Sequence, residues 1–205
     1  MYCFVLLLLA MSDTGNKVQT FLMMGRPGSG KGTQAKMLAE KVGGAVYSSG
    51  NRLREMAAGG SYFGKRTKEV MERGDLMPIW VSQYLFEEAL IKLEPADTIV
   101  FEGSCRILEE AMRFHEAAVW LNRAYVAVYL DAPEDALRER LLKRAGLEGR
   151  ADDNAAALQE RFDKFNELTI KSIDYFKSEG TLVVVNGNQA IEQVHIDVLR
   201  ALNLQ

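Results

Sequence analysis

The stretch Gly25–Thr33 reads GRPGSGKGT and decides the class of fold. Its glycine spacing fits the pattern G-x-x-x-x-G-K, in which successive backbone N–H groups turn inward and bind an anion. The stretch follows the apolar run Val18–Met24, which predicts a strand, and it opens a helical pattern. Lys31 adds a full positive charge, and the Thr33 hydroxyl is placed to approach a Mg²⁺ ion bound with phosphates. The sequence therefore predicts a phosphate-binding loop between a strand and a helix.

Two other interpretations of this loop are open. One is the dinucleotide fingerprint G-x-G-x-x-G, since Gly28 and Gly30 have the required spacing. Against it, Thr33 occupies the third glycine position, and no acidic residue ends the second predicted strand, Ala45–Tyr47. The other is a plain glycine turn, which a full match to the phosphate-loop pattern between a strand and a helix disfavours.

Strand-like apolar runs alternate with helical patterns along the rest of the chain. Continuous Val, Leu and Ile runs such as Thr98–Phe101 and Tyr125–Leu130 predict strands buried on both faces. Because strands that alternate with helices form right-handed βαβ units, we expect an α/β fold with an open, mostly parallel five-stranded sheet and helices on both faces. Ligands of such folds bind at the carboxyl ends of the strands. The other predicted elements are a fifth strand, Leu182–Val185, and the helices Lys31–Lys41, Gly50–Ala58, Lys65–Arg73, Val81–Leu93, Glu109–Ala118, Pro133–Arg144, Asn154–Ser178 (broken or bent) and Ala190–Leu202.

Composition narrows the class of protein. The chain has 205 residues, of which 48% are hydrophobic and 26% charged, as in an ordinary folded protein. Its net charge of −3 disfavours a general nucleic-acid binder, and we expect neither a nucleic-acid nor a membrane partner. The two cysteines, Cys3 and Cys105, suggest neither a disulfide framework nor a zinc site. We therefore expect a reducing, cytoplasmic compartment, with Cys105 as a small, partly buried apolar residue.

The first sixteen residues form a separate segment that we expect to carry no chemistry. The apolar run Phe4–Ala10 is too short to span a bilayer, and no Lys or Arg precedes Lys17, as a secretory signal would require. We favour Met11 as the true first residue, with a packed or disordered tail as the second choice.

The phosphate-binding loop carries a resemblance to a known family. Gly30–Gln34 reads GKGTQ and follows Gly-x-Pro-Gly, with Gly32 where other phosphate loops have Ser or Thr. In this it resembles the adenylate kinase family of P-loop nucleoside monophosphate kinases. The resemblance extends from Val18 to Leu202. It implies the three-layer sandwich fold of P-loop NTPases. It further implies an enzyme that converts ATP–Mg²⁺ and AMP into two ADP by direct in-line phosphoryl transfer. It also implies a kinase domain over 17–205, an NMP-binding insertion at 48–77 and a short lid at 144–154.

The acceptor half follows from three matching segments. The segments Ser48–Arg54 (SSGNRLR), Gly74–Pro78 (GDLMP) and Glu102–Arg106 (EGSCR) resemble the family's STGDxLR, GxLVP and DGFPR. The resemblance implies that Arg54 and Arg106 hold the acceptor phosphate. Arginine suits this role because its planar fork binds phosphate oxygens in pairs. The implied acceptor-site residues are Ser49, Gly50, Arg54, Asp75, Leu76, Met77, Gly103, Arg106, Glu110, Arg150 and Arg161.

The donor half and the lid follow in the same way. Arg140–Arg144, Gly149–Asn154 and Arg161 resemble the short-lid branch, so that Arg144, Arg150 and Arg161 close over the transferring phosphate while Asp152 and Asp153 hold the lid arginines. The implied ATP-site residues are Gly28, Ser29, Gly30, Lys31, Gly32, Thr33, Arg140, Arg144 and Gln189. The implied catalytic residues are Lys31, Arg106, Arg144, Arg150 and Arg161. Thr33 and Glu102 would organise Mg²⁺, mainly through water.

Other residues have plainer interpretations. The short lid contains no Cys or His, so we expect no zinc there. A lone arginine on a surface is usually solvated or in a weak ion pair. We expect that of Arg52, Arg66, Arg113, Arg138 and Arg200. We also expect a monomer.

Two departures concern the acceptor half. Ser104-Cys105 replaces Phe-Pro, which predicts a looser turn before Arg106. Glu110 stands where the family places the Gln that reads the acceptor adenine, and an ionised carboxylate accepts hydrogen bonds but donates none. Guanine, with N1–H and an amino group, suits a carboxylate better, unless Glu110 points to solvent. AMP is the first choice; GMP, UMP or CMP, or a nucleotide-binding regulator with weak catalysis, are the alternatives.

Overall fold

The computed structural model of the chain describes residues 18–148 and 155–204, with side chains described except at 142–148. The strands are β1 (Thr20–Gly25), β2 (Ala45–Ser48), β3 (Ile99–Glu102), β4 (Tyr125–Asp131) and β5 (Leu182–Asn186). They form one parallel sheet in the order β2-β3-β1-β4-β5. This confirms the predicted fold class, a five-stranded α/β sheet of the P-loop type.

Helices follow the strands throughout the described residues. They are α1 (Lys31–Val42), α2 (Ser49–Ala58), α3 (Tyr62–Glu72), α4 (Ile79–Ile91), α5 (Leu108–Trp120), α6 (Glu134–Glu148), α7 (Ala155–Lys164), α8 (Ile170–Ser178) and α9 (Ile191–Ala201). No helix within 18–148 or 155–204 is long and apolar enough to cross a membrane.

Strand β1 shows how the two faces of the sheet are buried. Leu22 and Met24 pack on one face, in the core formed with α4, α5 and α8. Phe21 and Met23 pack on the other face, in the core formed with α1 and α9. Successive side chains of a strand point to opposite faces, so a strand covered on both sides must be apolar at every position.

The predicted helix Lys65–Arg73 begins three residues too late. The helix observed, α3, starts at Tyr62 because the Ser61 hydroxyl accepts a hydrogen bond from the backbone N–H of Gly64 at 3.0 Å. A serine at this position satisfies an N–H group that has no partner within the helix. Helices α2 and α3, which follow β2 and precede α4 along the chain, pack against each other.

The long pattern Asn154–Ser178 is broken, as predicted. Helix α7 ends at Lys164, and α8 begins at Ile170. Between them, Phe165–Thr169 forms a π-helical segment, a local widening of the helix that is frequent at functional sites. This segment lies near the carboxyl end of β1, because Phe165 and Thr169 line a cavity with Gly25.

The order of strands reverses around β1. From β1 the chain crosses to β2 and returns to β3 on one side, then places β4 and β5 on the other. The carboxyl end of β1 is therefore the topological switch point of the sheet, where ligands of open α/β folds bind. The predicted phosphate-binding loop starts there, at Gly25.

Candidate active site

The loop between β1 and α1 has the backbone of an anion cradle. Gly28 and Gly30 have φ of 81° and 83°, in the left-handed region that side chains disfavour. At Gly28 a Cβ atom would also lie 2.9 Å from Leu141 Cγ. Gly30 caps α1 and, as a glycine, provides no side-chain hydrogen bond to that helix end. The first N–H groups of α1 thus point, with the positive end of the helix dipole, toward the carboxyl edge of the sheet.

Side chains within the cradle fit a polyphosphate. The Ser29 hydroxyl is buried and has no hydrogen-bond partner among the described residues. Leaving a hydroxyl in this state costs about 1 to 3 kcal/mol, which a phosphate oxygen would offset. Lys31 Nζ donates to the Arg26 carbonyl oxygen at 3.4 Å and lies 3.9 Å from Glu102 Oε1. These contacts hold the lysine at the mouth of the cradle.

Glu102 is an ionised carboxylate at the end of β3. Burial by itself raises the pKa of Glu102, but the charge of Lys31, the Ser48 hydrogen bond and the charges of Arg106 and Arg54 together outweigh it. The pKa therefore lies below its ordinary value. Ser48 Oγ donates to Glu102 Oε2 at 2.6 Å. An anionic oxygen beside the cradle is suited to Mg²⁺, which prefers hard oxygen ligands and keeps several waters.

Two adjoining cavities connect the cradle to the other predicted segments. The central cavity is lined by Gly25, Lys31, Gly103, Arg106 and Arg161, among others. The lateral cavity is lined by the predicted acceptor-site residues Ser49, Gly50, Arg54, Asp75, Leu76, Met77, Gly103, Arg106, Glu110 and Arg161. The residues that line both are Gly74, Leu76, Gly103, Arg106 and Arg161. The structure thus brings these predicted residues together in one continuous cleft.

The turn that carries Arg106 is braced from three sides. Arg106 Nε donates to the Gly103 carbonyl oxygen at 3.0 Å, and the Arg106 N–H donates to Glu110 Oε2 at 2.8 Å. The Thr169 hydroxyl donates to the Arg106 carbonyl oxygen at 2.8 Å. These hydrogen bonds hold the turn that we expected to be loose. Cys105 within it is fully buried, rather than partly, and adopts a left-handed φ of 57°.

Glu110 is buried, so the alternative that it points to solvent is wrong. Only 3% of the residue is exposed, and its carboxyl group lines the lateral cavity. Ser82 Oγ donates to Oε1 at 2.5 Å, while Oε2 accepts from the Arg106 N–H. Burial raises the pKa of Glu110, and the hydrogen bonds from Ser82 and Arg106 lower it only in part. The protonated, neutral form of Glu110 is therefore more populated at a given pH than that of a surface glutamate.

The predicted ATP-site residues outside the cradle lie at the ends of β4 and β5. Arg140 Nη1 donates to the Gly187 carbonyl oxygen at 3.1 Å, and Nη2 donates to Asn188 Oδ1 at 3.3 Å. Gln189 uses its side-chain amide within the protein, on the Asn186 carbonyl oxygen and Asp197. The backbone of this loop, rather than the Gln189 side chain, remains for a ligand.

Some of the predicted residues do not line the cavities or lie outside the described residues. Thr33 is exposed on the first turn of α1 and does not line either cavity. The side chain of Arg144 lies outside the described residues, as do Arg150, Asp152 and Asp153. Among the described residues, no group of three or more His, Cys, Asp or Glu is arranged to hold a metal ion.

The plain interpretation of the surface arginines is confirmed for four of five. The side chains of Arg52, Arg66, Arg113 and Arg200 are 46 to 63% exposed, each in an ion pair with an acid three residues away. Arg138 is different: its guanidinium lies 4.6 Å from the centre of the Phe162 ring and bonds to Glu134 and Gln159.

Sequence reasoning missed Ser82, Thr169 and Arg26, which contact or brace the site. Ser82 and Thr169 bond to Glu110 and Arg106 from helices distant in sequence. No motif surrounds them, so no local signal could have found them. Arg26 lies within the cradle motif itself, at a position that the pattern leaves open. A charged residue at that open position was the only feature of the sequence that could have drawn attention to Arg26.

The parallel sheet, the cradle at its switch point and the arginine-lined cleft define a P-loop protein with two adjoining cavities. A model of the adenylate kinase family matches residues 23–181. The adenylate kinase of Thermus thermophilus is 35% identical over 187 residues, which cover 91% of this chain and 98% of that protein. Adenylate kinase 1 of Schistosoma mansoni is 34% identical over 179 residues, 87% of this chain and 89% of that protein. Adenylate kinase isoenzyme 1 of Caenorhabditis elegans is 33% identical over 188 residues, 91% and 88% of the two chains. The chain belongs to the adenylate kinase family.

Proposed function

We propose that this enzyme transfers the terminal phosphoryl group of ATP–Mg²⁺ to AMP, giving two ADP. One observation carries the proposal furthest: Lys31 of the cradle and Arg106 line the same cavity, and that cavity continues into the lateral cavity. A protein that only hydrolysed ATP would need no second cationic site beside the first. The curated relatives named above are all adenylate kinases.

The donor half is proposed to hold ATP through the backbone and Lys31. The N–H groups of Gly28, Gly30, Lys31 and Gly32 and the Ser29 hydroxyl bind the phosphate oxygens, while Lys31 exchanges its contact with the Arg26 carbonyl oxygen for the phosphates. Arg140 and the loop around Gln189 flank the ATP base. Thr33 and Glu102 are proposed to hold Mg²⁺, mainly through water. When bound, Mg²⁺ neutralises charge on the phosphates during transfer.

The acceptor half is proposed to hold AMP in the lateral cavity. Arg54 and Arg106 bind its phosphate, which places that phosphate toward the central cavity, where Arg106 also lies. Ser49, Gly50, Asp75, Leu76 and Met77 line the space for the nucleoside, and Gly103 lets the backbone approach closely. The resulting line of cations offsets the repulsion between two polyanions that meet end to end.

Phosphoryl transfer then requires positioning and charge stabilisation rather than covalent participation of the protein. Lys31, Arg106 and Arg161 surround the point where the two nucleotides meet. Arg144 and Arg150 of the short lid 144–154 are proposed to close over it, and the insertion 48–77 to close from the acceptor side. Closure excludes water, so that transfer outcompetes hydrolysis.

Adenine is the acceptor base that we favour, and Glu110 supports it through its acid form. The protonated carboxyl group offers one O–H donor and one carbonyl acceptor, the pair that adenine N1 and its amino group require. An ionised Glu110 would instead offer two acceptors, as guanine requires. Because burial favours the acid form, the buried position of Glu110 is compatible with AMP.

The decisive test is an acceptor panel. The enzyme is incubated with ATP–Mg²⁺ and, in turn, AMP, GMP, CMP and UMP, and nucleoside diphosphate is quantified. We expect AMP to give the highest kcat/KM. A higher kcat/KM with GMP would mean that GMP, not AMP, is the acceptor. If the protein binds ATP but converts none of the four monophosphates, the alternative of a nucleotide-binding regulator is favoured.

We also propose that the enzyme is a cytoplasmic monomer without zinc, and that residues 1–16 take no part in catalysis. Sedimentation of the full chain tests the oligomeric state, and metal analysis of the purified protein tests for zinc. The kinetics of a variant in which a single Met replaces residues 1–16 test the role of that segment. A dimer, bound zinc or a changed kcat would each contradict the corresponding statement.

A further inference from the structure

The side chain of Arg26, within the phosphate-binding loop, turns away from the central and lateral cavities and lines a third cavity with Asp131, Glu134 and Asn186. It does not line the central or the lateral cavity, although its neighbours Gly25 and Pro27 line the central one. Its Nη1 donates to the Tyr129 hydroxyl at 2.9 Å and lies 3.5 Å from Asp131 Oδ1. The Arg26 guanidinium therefore contacts the end of β4 rather than the central or the lateral cavity.

The other side of the same guanidinium contacts the π-helical segment. Nη2 donates to Asn166 Oδ1 at 3.3 Å, and the guanidinium carbon lies 4.9 Å from the centre of the Phe165 ring. The Tyr129 ring stacks on Phe165, with ring centres 6.3 Å apart and planes at 24°. A cation over an aromatic face and a planar fork with two hydrogen-bond partners fix the guanidinium in one orientation.

The segment held by Arg26 links both halves of the cleft. Phe165 directly follows α7, whose Arg161 lines both cavities. At its other end, the Thr169 hydroxyl donates to the Arg106 carbonyl oxygen. The phosphate-binding loop is thereby joined through Arg26 to the helix that carries Arg161 and to the turn that carries Arg106.

Charge attraction alone does not explain this arrangement. The Asp131 side chain is 57% exposed and 3.5 Å away, so its ion pair with Arg26 is screened by water and weak. The contacts that require an arginine are the stacked face and the two-pronged hydrogen bonding, which a lysine ammonium does not reproduce.

We propose that Arg26 is a positioning residue for phosphoryl transfer: it ties the phosphate-binding loop to the π-helical segment and so fixes Lys31 relative to Arg161 and Arg106. The inference rests on the proposed function. It predicts that loss of the tether acts on turnover rather than on nucleotide binding, because Arg26 lines neither the central nor the lateral cavity. A displacement of about 1 Å in such a site costs up to about a hundredfold in rate.

The test compares two lysine substitutions in the full chain. In Arg26→Lys we expect kcat for ATP and AMP to fall about tenfold or more, with both KM values within about threefold of wild type. The matched control is Arg138→Lys. Arg138 also places its guanidinium over an aromatic ring, that of Phe162 within α7, but it bonds to Glu134 and Gln159 and not to the cradle. We expect this control to lose similar thermal stability and to keep its kcat.

A second readout does not depend on turnover. In Arg26→Lys the backbone amides of residues 165–169 should exchange with deuterium about tenfold faster than in wild type, and in Arg138→Lys they should not. Wild-type kcat in Arg26→Lys, an equal fall of kcat in both variants, or unchanged exchange at 165–169 would each overturn the proposal. If the wild-type enzyme converts no monophosphate, the proposed function fails, and the exchange result alone decides whether the tether exists.

Discussion

The donor and acceptor halves of the cleft are built in different ways. The phosphate-binding loop consists of consecutive residues, and its backbone N–H groups provide most of what binds. The acceptor half collects side chains from α2, from the Gly74–Met77 segment, from the turn after β3 and from α4 and α5. A site that binds through backbone N–H groups keeps its binding groups when a side chain is substituted. A site that binds through side chains loses or gains a binding group with each substitution. The departures from the family pattern that concern us most, Ser104-Cys105 and Glu110, fall in the acceptor half.

The largest expected effect would break the donor half. Lys31→Met removes the full charge that the cradle is proposed to direct at the phosphates while keeping a side chain of similar length. We expect kcat to fall about a thousandfold, since charge stabilisation dominates phosphoryl transfer. Steady-state kinetics with ATP and AMP check this, with Lys36→Met, exposed on the same helix, as the matched control. Near-wild-type turnover in Lys31→Met would remove the cradle from the mechanism.

The next prediction separates the halves at Arg106. Arg106→Ala should lower kcat/KM for AMP about a hundredfold. Binding of ATP, measured without acceptor, should change much less, because the cradle remains intact. Arg113→Ala removes a solvent-exposed ion pair with Glu116 on α5; it is the control and should behave as wild type. An equal loss of ATP affinity in Arg106→Ala would mean that the halves are not separable.

A smaller effect, dependent on pH, is expected at Glu110. Burial raises the pKa of Glu110, so the acid form proposed to read adenine persists above the usual pH range of a carboxyl group and is lost as the pH rises through the raised pKa. The kcat/KM for AMP should therefore fall with rising pH in wild type. Glu110→Gln keeps the donor and acceptor at all pH values and should exceed wild type about tenfold at alkaline pH.

The same carboxyl group makes a prediction for stability. The folded state binds this proton more tightly than the unfolded chain, so the contribution is present at low pH and disappears as the pH rises from the ordinary carboxyl pKa through the raised one. Urea unfolding across this pH range should show that the unfolding free energy of wild type depends on pH in this way. In Glu110→Gln this dependence should be absent. Identical pH profiles of activity and stability in the two proteins would show that Glu110 does not act as an acid.

The smallest effect concerns the replacement of Phe-Pro. Ser104 and Ser49 share a buried hydrogen bond of 2.7 Å between their hydroxyl groups. Ser104→Ala leaves the Ser49 hydroxyl without this partner and should cost about 1 to 2 kcal/mol of unfolding free energy. The double variant Ser49→Ala/Ser104→Ala should cost less than the sum of the two single changes, as urea unfolding would measure. Strict additivity would mean that the pair does not interact.

The order of strands and helices could be predicted because hydrophobic periodicity is local. Errors concern ends: β1 begins at Thr20 rather than Val18, and α3 begins at Tyr62 rather than Lys65. Helix and strand ends depend on caps and on pairing with neighbouring strands, which a periodic pattern does not contain. The π-helical segment Phe165–Thr169 was predicted only as a break, since its form depends on contacts with the cradle and with Arg106.

The sequence by itself determined the phosphate-binding loop, the parallel α/β architecture and the membership in the adenylate kinase family. These depend on spacing along the chain, because a glycine-rich turn before a helix forms its anion site from neighbouring residues. Only the tertiary structure decided that Glu110 is buried against Ser82, that Thr169 holds Arg106, and that Arg26 faces Phe165 instead of the phosphates. Those facts depend on which side chains from distant elements meet, and the direction of a side chain is set by packing rather than by its place in a motif.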